Sequence, residues 1–455
     1  MSNEKRGHAV VLGAGVAGLF AARVVAESHA KVTLIDRDEL SVPVSARRGL
    51  PQAGHLHGLL ARGQQIMEEH FPGITEELIA DGAQHGDVAR DVRWIINGRH
   101  LRRADSGLTV ITCTRPFLER HIRERLLEVP EVELSPSTDL LRLVTAPDGR
   151  TVTGVVVERG GVEEEVPADL VVDATGRGSR TPLWLAELGF GRPEEEKHKI
   201  GLGYTTRFYR TSHEAFEGDI SINTVASAGI PRGTICQKVD GGRTIVTAYG
   251  ILGDHAATTP DGFMEFIGSL AAPDIQRVLE RSEPITDPVQ YRFPTNLRRH
   301  YERLTDFPEG LLVIGDAVCS FNPSYAQGMT VAAMSSLVLR RHLAQEVRPA
   351  PTSYFKSLAE EAVDGVWQMA VGADLSFPEV EGVRDEAVLR AHEHVTRVQH
   401  AAALSGEVAA RYARVIGLVD PPSALGDPEF LELLDRVEAA GAKGTETAEV
   451  EGARR

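Results

Sequence analysis

His8-Ala9-Val10-Val11-Leu12-Gly13-Ala14-Gly15-Val16-Ala17-Gly18-Leu19-Phe20 is the stretch that decides the fold. An apolar run leads into G-x-G-x-x-G, and a helix-forming segment follows. A second apolar run, Val32-Thr33-Leu34-Ile35, ends in Asp36 and Arg37. The pattern predicts strand, glycine turn, helix and a second strand with an acid at its tip. Gly13 permits the tight turn. Gly15 leaves room for a pyrophosphate against the backbone, beside Ala17 in the helix start. Gly18 lets the helix pack on the sheet. Free N–H groups at the helix start attract phosphate. Asp36, about 20 residues beyond the glycines, is placed to accept hydrogen bonds from a ribose. The reading is a Rossmann-like unit that binds an adenine dinucleotide.

The 455 residues are enough for two or three domains with a full core. Hydrophobic residues make up 42% and charged residues 25%, the balance of a globular chain. No apolar run reaches the length of a membrane span, and the first residues carry no secretory h-region. Three scattered cysteines, Cys113, Cys236 and Cys319, fit a reducing compartment and form neither a redox pair nor a zinc set. The expected location is the cytoplasm. A net charge of −16 argues against nucleic acid as partner. His55 and His57 could meet Asp87 or Asp91 at a metal, but no ligand motif supports this, and no metal is expected.

The texture of the chain divides it. Residues 1–90 read as the first part of the dinucleotide-binding domain, and 91–112 as strands of a second domain. Residues 113–185 return to the first domain. Residues 186–295 read as an inserted, mostly antiparallel sheet, with a Gly241-Gly242 hairpin and a helix around Asp261–Leu279. Residues 296–348 complete the dinucleotide fold and include a long helix over 327–347. Residues 349–440 are a helical region. Residues 441–455, without aromatics and rich in Gly and Glu, are expected to be a disordered tail. The fold class is α/β, a Rossmann-like domain with an inserted sheet domain and a helical C-terminal region.

Two further segments complete a recognisable set. They are Asp173-Ala174-Thr175-Gly176-Arg177-Gly178-Ser179-Arg180 and Gly315-Asp316-Ala317-Val318-Cys319-Ser320-Phe321-Asn322-Pro323-Ser324-Tyr325-Ala326-Gln327-Gly328-Met329. Together with the N-terminal turn they resemble the FAD-dependent monooxygenases of the para-hydroxybenzoate hydroxylase fold. Within these, the chain is most similar to an actinobacterial natural-product branch that includes polyether polyene epoxidases and related flavin-dependent cyclases. The resemblance runs over about residues 7–345. The loop Arg48–Gly63 and the segment Trp367–Gly382 share it.

The resemblance implies FAD as cofactor, bound by Gly13, Gly15, Ala17, Gly18, Asp36, Arg37, Arg48, Arg115, Asp173, Gly176, Gly315, Asp316, Pro323, Gln327, Gly328 and Met329. Asp316 would bond the ribityl hydroxyls. Pro323, Gly328 and Met329 would line the reactive ring, with the helix start facing N1 and O2 of the flavin. Family members commonly carry Gly where this chain has Ala326. The family's Asp-Gly pair is replaced here by Asp173-Ala174-Thr175-Gly176.

The implied activity is transfer of one oxygen atom from a flavin C4a-hydroperoxide to an apolar substrate, by epoxidation or hydroxylation, in polyketide biosynthesis. No second dinucleotide fingerprint is present. NADPH or NADH would therefore be a transient electron donor, or a separate flavin reductase would supply reduced flavin. The flavin carries the chemistry, and no catalytic triad is expected. The alternative is a cyclase of the spirotetronate type that keeps FAD as a structural part without redox turnover. Trp94, Trp184 and Trp367 stand alone, without the W-x-W run of tryptophan halogenases. Substrate would lie against the inserted sheet. Thr206, Phe208, Thr234, Cys236, Thr247 and Tyr249 are the candidate contacts, taken from alternate positions of three strands.

Overall fold

A computed structural model of the protein describes residues 5–40 and 52–452. Arg48, one of the candidate cofactor ligands, lies outside the described residues.

The N-terminal stretch forms the expected unit. Strand Arg6–Leu12 enters the glycine turn and helix Val16–Val25 leaves it. Five parallel strands form the sheet, in the order Leu311–Val313, Leu170–Asp173, Arg6–Leu12, His29–Ile35, Val132–Ser135. Its short apolar runs are buried on both faces, as in parallel sheets covered by helices. Helices Val16–Val25 and Gly328–Leu343 pack on it. Gly13 has φ +94° and an added Cβ would lie 2.7 Å from the Ala174 carbonyl oxygen. A Cβ on Gly18 would lie 1.7 Å from the Gly13 carbonyl oxygen, so both glycines are required by close backbone approach.

The inserted domain is one large twisted sheet. Its strands run in the order Cys319–Ser320, Val289–His300, Glu194–Thr211, Arg243–Gly250, Arg232–Val239, Ser221–Thr224, Val92–Ile96, Arg99–His100. The hairpin at Gly241-Gly242 has both glycines at positive φ, 67° and 64°. Two sequence expectations are corrected here. Asn97-Gly98 turns Val92–Ile96 back onto Arg99–His100, whereas Thr109–Thr112 pairs outside this sheet with Gln84–Asp87. The helix expected over Asp261–Leu279 is two helices, Pro260–Gly268 and Asp274–Leu279, because Pro273 cannot continue a helix from the segment before it.

One face of this sheet is closed by those two helices. Tyr209, Ile222, Cys236, Val246 and Ala248 pack there against Phe263, Phe266, Ile275 and Val278. The other face looks towards the first domain and the C-terminal helices. That region is helical from Pro351 onward, with helices Asp364–Asp374, Glu386–Leu404 and Gly406–Ile416. The last helix, Pro428–Gly452, runs through residues 441–452, where the composition had suggested disorder. Its anchor is apolar: Phe430 and Leu434 are fully buried against Val398, Ala402 and Val408.

Candidate functional site

The segments singled out in the sequence converge on one groove. A Cβ on Gly15 would meet only the Arg115 guanidinium, at 3.8 Å, so the helix start is open on that side. Arg115 is held from two directions. Its Nε donates to Glu119 Oε1, one turn along the same helix, at 2.8 Å, and its Nη1 donates to His57 Nε2 at 3.1 Å. Glu119 is 1% exposed, so this ion pair is screened from water. His57 must be neutral to accept that bond. Burial, reinforced by Arg115, keeps its pKa well below the usual histidine value.

Asp316 follows the strand Leu311–Val313 and opens into the same groove. Gly315 before it has φ +68° and packs so closely on Ala17 that an added Cβ would lie 2.6 Å from the Ala17 methyl. Cβ atoms added to Gly176 and Gly328 would lie 3.9 Å and 3.7 Å from the Asp316 side chain. Burial pushes the Asp316 carboxyl up, and the Arg115 and Arg177 charges pull it back. Pro323–Tyr325 forms a tight turn capped by Asn322, whose Oδ1 accepts from Ser324 N at 3.0 Å. Ala326 follows at φ +57°, the left-handed region that favours glycine. Its methyl faces Gly58, where a Cβ would lie only 2.8 Å away. The side chain absent at Gly58 makes room for the methyl present at Ala326. Gln327 precedes helix Gly328–Leu343 without a side-chain capping bond, and its buried Oε1 has no partner among the described residues.

A carboxylate that no motif pointed to holds this turn. Asp374, the last residue of helix Asp364–Asp374, is 1% exposed. It accepts from Asn322 Nδ2 at 2.8 Å, Tyr325 OH at 2.8 Å and Asn296 Nδ2 at 2.6 Å. Burial raises its pKa, and the three donors act against that. The C-terminal helix, the sheet strand Val289–His300 and the turn are thereby tied at one point.

Two candidates have other work. Asp173 is fully buried, and its carboxylate accepts from Thr175 N, Thr175 Oγ1, Ser179 Oγ and Thr181 Oγ1. It shapes its own turn. Asp36 accepts from Ala14 N at 2.7 Å and Asp38 N at 2.9 Å, so it braces the glycine turn. Arg37 beside it is exposed.

The sheet candidates split between the two faces. Thr206 pairs with Thr247, Tyr204 with Tyr249 and Phe208 with Ile245, which puts Thr206, Phe208, Thr247 and Tyr249 on the face towards the groove. Thr234 and Cys236 are opposite Ala248 and Val246, so they point to the closed face. This corrects the grouping of those two with Thr247 and Tyr249; Ile235, opposite Thr247, takes the near face instead. On that face His55 Nδ1 bonds Thr206 Oγ1 at 2.8 Å, and Thr206 bonds Thr247 Oγ1 at 2.7 Å. The His55 ring meets Tyr204 edge-on at 4.8 Å, and burial lowers its pKa to about 4. Tyr249 is packed under Leu375 and Phe377 of the C-terminal region.

A family model described as FAD binding domain matches residues 7–373. The chain belongs to this family. It is 32% identical to Protein Rv3254 of Mycobacterium tuberculosis over 81% of this chain and 80% of that one. It is 25% identical to a kynurenine 3-monooxygenase of Salinispora arenicola over 84% and 81%. Among solved structures, the flavin-dependent brominase Bmp2 shares the fold, with a TM-score of 0.67 at 15% identity, covering 97% of this chain and 100% of that one.

The groove suits FAD. Gly15 and the helix start offer N–H groups and an open approach for the pyrophosphate, with Arg115 as counter-charge. Asp316 faces the space beside Gly176 and Gly328 and accepts no hydrogen bond among the described residues, as suits a ribityl acceptor. The N-terminus of helix Gly328–Leu343 and the buried Gln327 Oε1 are available to the polar edge of the ring. Glu119 and Asp374 were missed in the sequence, where His57 was weighed only as a metal ligand. The i,i+4 spacing of Arg115 and Glu119 was a signal for the first of these.

Proposed function

We propose that the protein is an FAD-dependent monooxygenase that places one oxygen atom on an apolar small molecule of natural-product type, by epoxidation or hydroxylation. The observation that supports this most is the position of the near face of the inserted sheet. His55, from the segment that also supplies His57 to Arg115, bonds Thr206 on that face. The cofactor groove and the sheet therefore share one chamber wall.

Bound FAD supplies reduction of dioxygen, with NADPH, NADH or a separate flavin reductase as the electron source; the second oxygen atom leaves as water. The chain's part is positioning. Arg115, fixed by Glu119 and His57, holds the pyrophosphate. Asp316 orients the ribityl chain. The first N–H groups of helix Gly328–Leu343 stabilise negative charge at the ring edge. Asp374 keeps the Pro323 turn in register with that helix. Phe208 and Ile235, both half-buried on the near face, offer apolar contact to a substrate, and Thr247 offers a hydroxyl. The C-terminal helices exclude water from this side.

The test is a reaction of the yellow protein with NADPH, NADH or an added reductase under isotopically labelled dioxygen, with polyene and aromatic substrates. Bleaching of the flavin and one labelled oxygen atom in the product are expected. An inert flavin with a product of unchanged mass would replace this reading by that of a cyclase with a structural flavin.

A further inference from the structure

The end of the parallel sheet remote from the groove carries a second concentration of charge. Arg6 opens the first strand and pairs in register with His29, which opens the second. His342 lies in the last turn of helix Gly328–Leu343, and Arg348 follows shortly after it. Arg6 Nη2 donates to the Gln345 carbonyl at 2.9 Å, midway between His342 and Arg348 in the chain. Arg348 Nη2 donates to His29 Nε2 at 3.2 Å. Three strand starts and helix ends are thus drawn together about 20 Å from the glycine turn, the length of the first strand.

Among the described residues three buried nitrogen atoms of this cluster have no partner: Arg6 Nη1, Arg348 Nε and His342 Nε2, the last a donor in one of the two neutral tautomers. His342 is 7% exposed, and its ring rests on Tyr354 at 5.4 Å. Among the described residues neither arginine makes an ion pair. The negative end of the helix and the Gln345 carbonyl explain one donor of Arg6. They leave the other three atoms unaccounted for, and a buried donor without an acceptor is costly. The like charges also act on their surroundings. Burial and the Arg348 and Arg6 charges lower the pKa of both His29 and His342 to about 4. The carboxylates that counter them, Asp169 and Glu309, act only from a distance.

We propose that Arg6, Arg348 and His342 form a binding site for a small oxyanion of the phosphate or sulfate class. Two guanidinium groups supply charge, and three N–H donors from three segments match an oxyanion's several acceptors. His29 accepts from Arg348 and so aims its guanidinium. The ligand pins the C-terminal end of the helix whose other end faces the flavin. Because the donors are buried, a free ion fits better than a phosphate carried on a larger molecule.

The test uses FAD-saturated protein, so that the pyrophosphate groove is filled, at constant ionic strength set with sodium chloride. Inorganic phosphate, sulfate and adenosine monophosphate are titrated by calorimetry. Saturable binding of phosphate or sulfate is expected, weakened at least about tenfold in Arg348→Met and in His342→Phe, which keeps the contact with Tyr354. Arg6→Gln, at a half-buried position, gives the same comparison should either variant fail to fold. Binding of the inorganic ions alone assigns the free oxyanion; equal binding of the nucleotide assigns a phosphate monoester. No saturable binding to the unmodified protein, or undiminished binding in variants that keep FAD and their melting temperature, would overturn the site.

Discussion

The two faces of the inserted sheet are made from the same strands, yet they differ in kind. The far face is a closed core: Cys236, Val246 and Ala248 are essentially inaccessible beneath Phe263, Phe266 and Ile275. The near face carries the Thr206–Thr247 pair, the His55 contact and the half-buried Phe208 and Ile235. A closed apolar face contributes stability, roughly 1.5–3 kcal/mol for each large side chain buried. A face with hydroxyls and incompletely covered apolar groups gives up part of that contribution and leaves room for a ligand. The division between folding and function runs through the thickness of one sheet, residue by alternate residue.

The largest effect that sharpens this division lies on the near side. Gly15→Val is expected to abolish FAD binding while the protein still folds, because the added side chain enters open space rather than backbone. Absorbance of the purified variant checks it; full flavin content would remove the groove from that place. Asp316→Ala loses hydrogen bonds to the ribityl chain worth about 1.5–3 kcal/mol, or about 10- to 150-fold in FAD affinity. Titration of apoprotein with FAD measures it, and an unchanged constant would contradict the assignment. Asp374→Asn turns an acceptor for three donors into a group that donates to some of them. A loss of about 1–3 kcal/mol is expected in thermal unfolding, with weaker FAD binding because the Pro323 turn loosens. A variant that loses stability without any change in FAD affinity would limit Asp374 to the core.

The smallest effect concerns pH. His55 has its pKa lowered to about 4 by burial, so the folded state favours the neutral ring. The unfolded chain takes up its proton first, near pH 6.5. Stability is therefore full above pH 6.5 and falls as the pH drops towards 4. His29, His70 and His342 share this behaviour. His55→Gln should make the decline shallower by the contribution of one group, read from unfolding midpoints between pH 7 and 4. An unchanged slope would mean that His55 is solvated.

The glycine turn and the Gly315-Asp316 segment were legible because their work is local: a positive φ, a close backbone approach and a helix start are written in consecutive residues. The alternation of the inserted strands was legible for the same reason. Which alternate set faces the groove was not. That choice is made by helices 260–268 and 274–279, which cover one face, and a strand's own sequence does not record what covers it. Thr234 and Cys236 were misassigned on this account. The local role of Asp173 was not legible either, although its partners, Thr175, Ser179 and Thr181, lie in its own turn. Asp374 gave no signal: the donors that define it lie 52, 49 and 78 residues away in sequence. The tail failed in the opposite sense. A composition poor in aromatics suggested disorder, but Phe430 and Leu434 anchor a helix that continues through it.

The near face, and not the far one, is expected to share a chamber with the flavin. The excited-state lifetime of bound FAD in Ile235→Trp and Cys236→Trp tests it most directly, since an indole close to the flavin quenches it by electron transfer. Neighbouring residues then report on opposite faces. A shortened lifetime with nearly unchanged melting is expected for Ile235→Trp. For Cys236→Trp an unchanged lifetime is expected, with a stability loss of about 1–3 kcal/mol from overpacking. Quenching by Cys236→Trp alone, or equally by both, would contradict this placement.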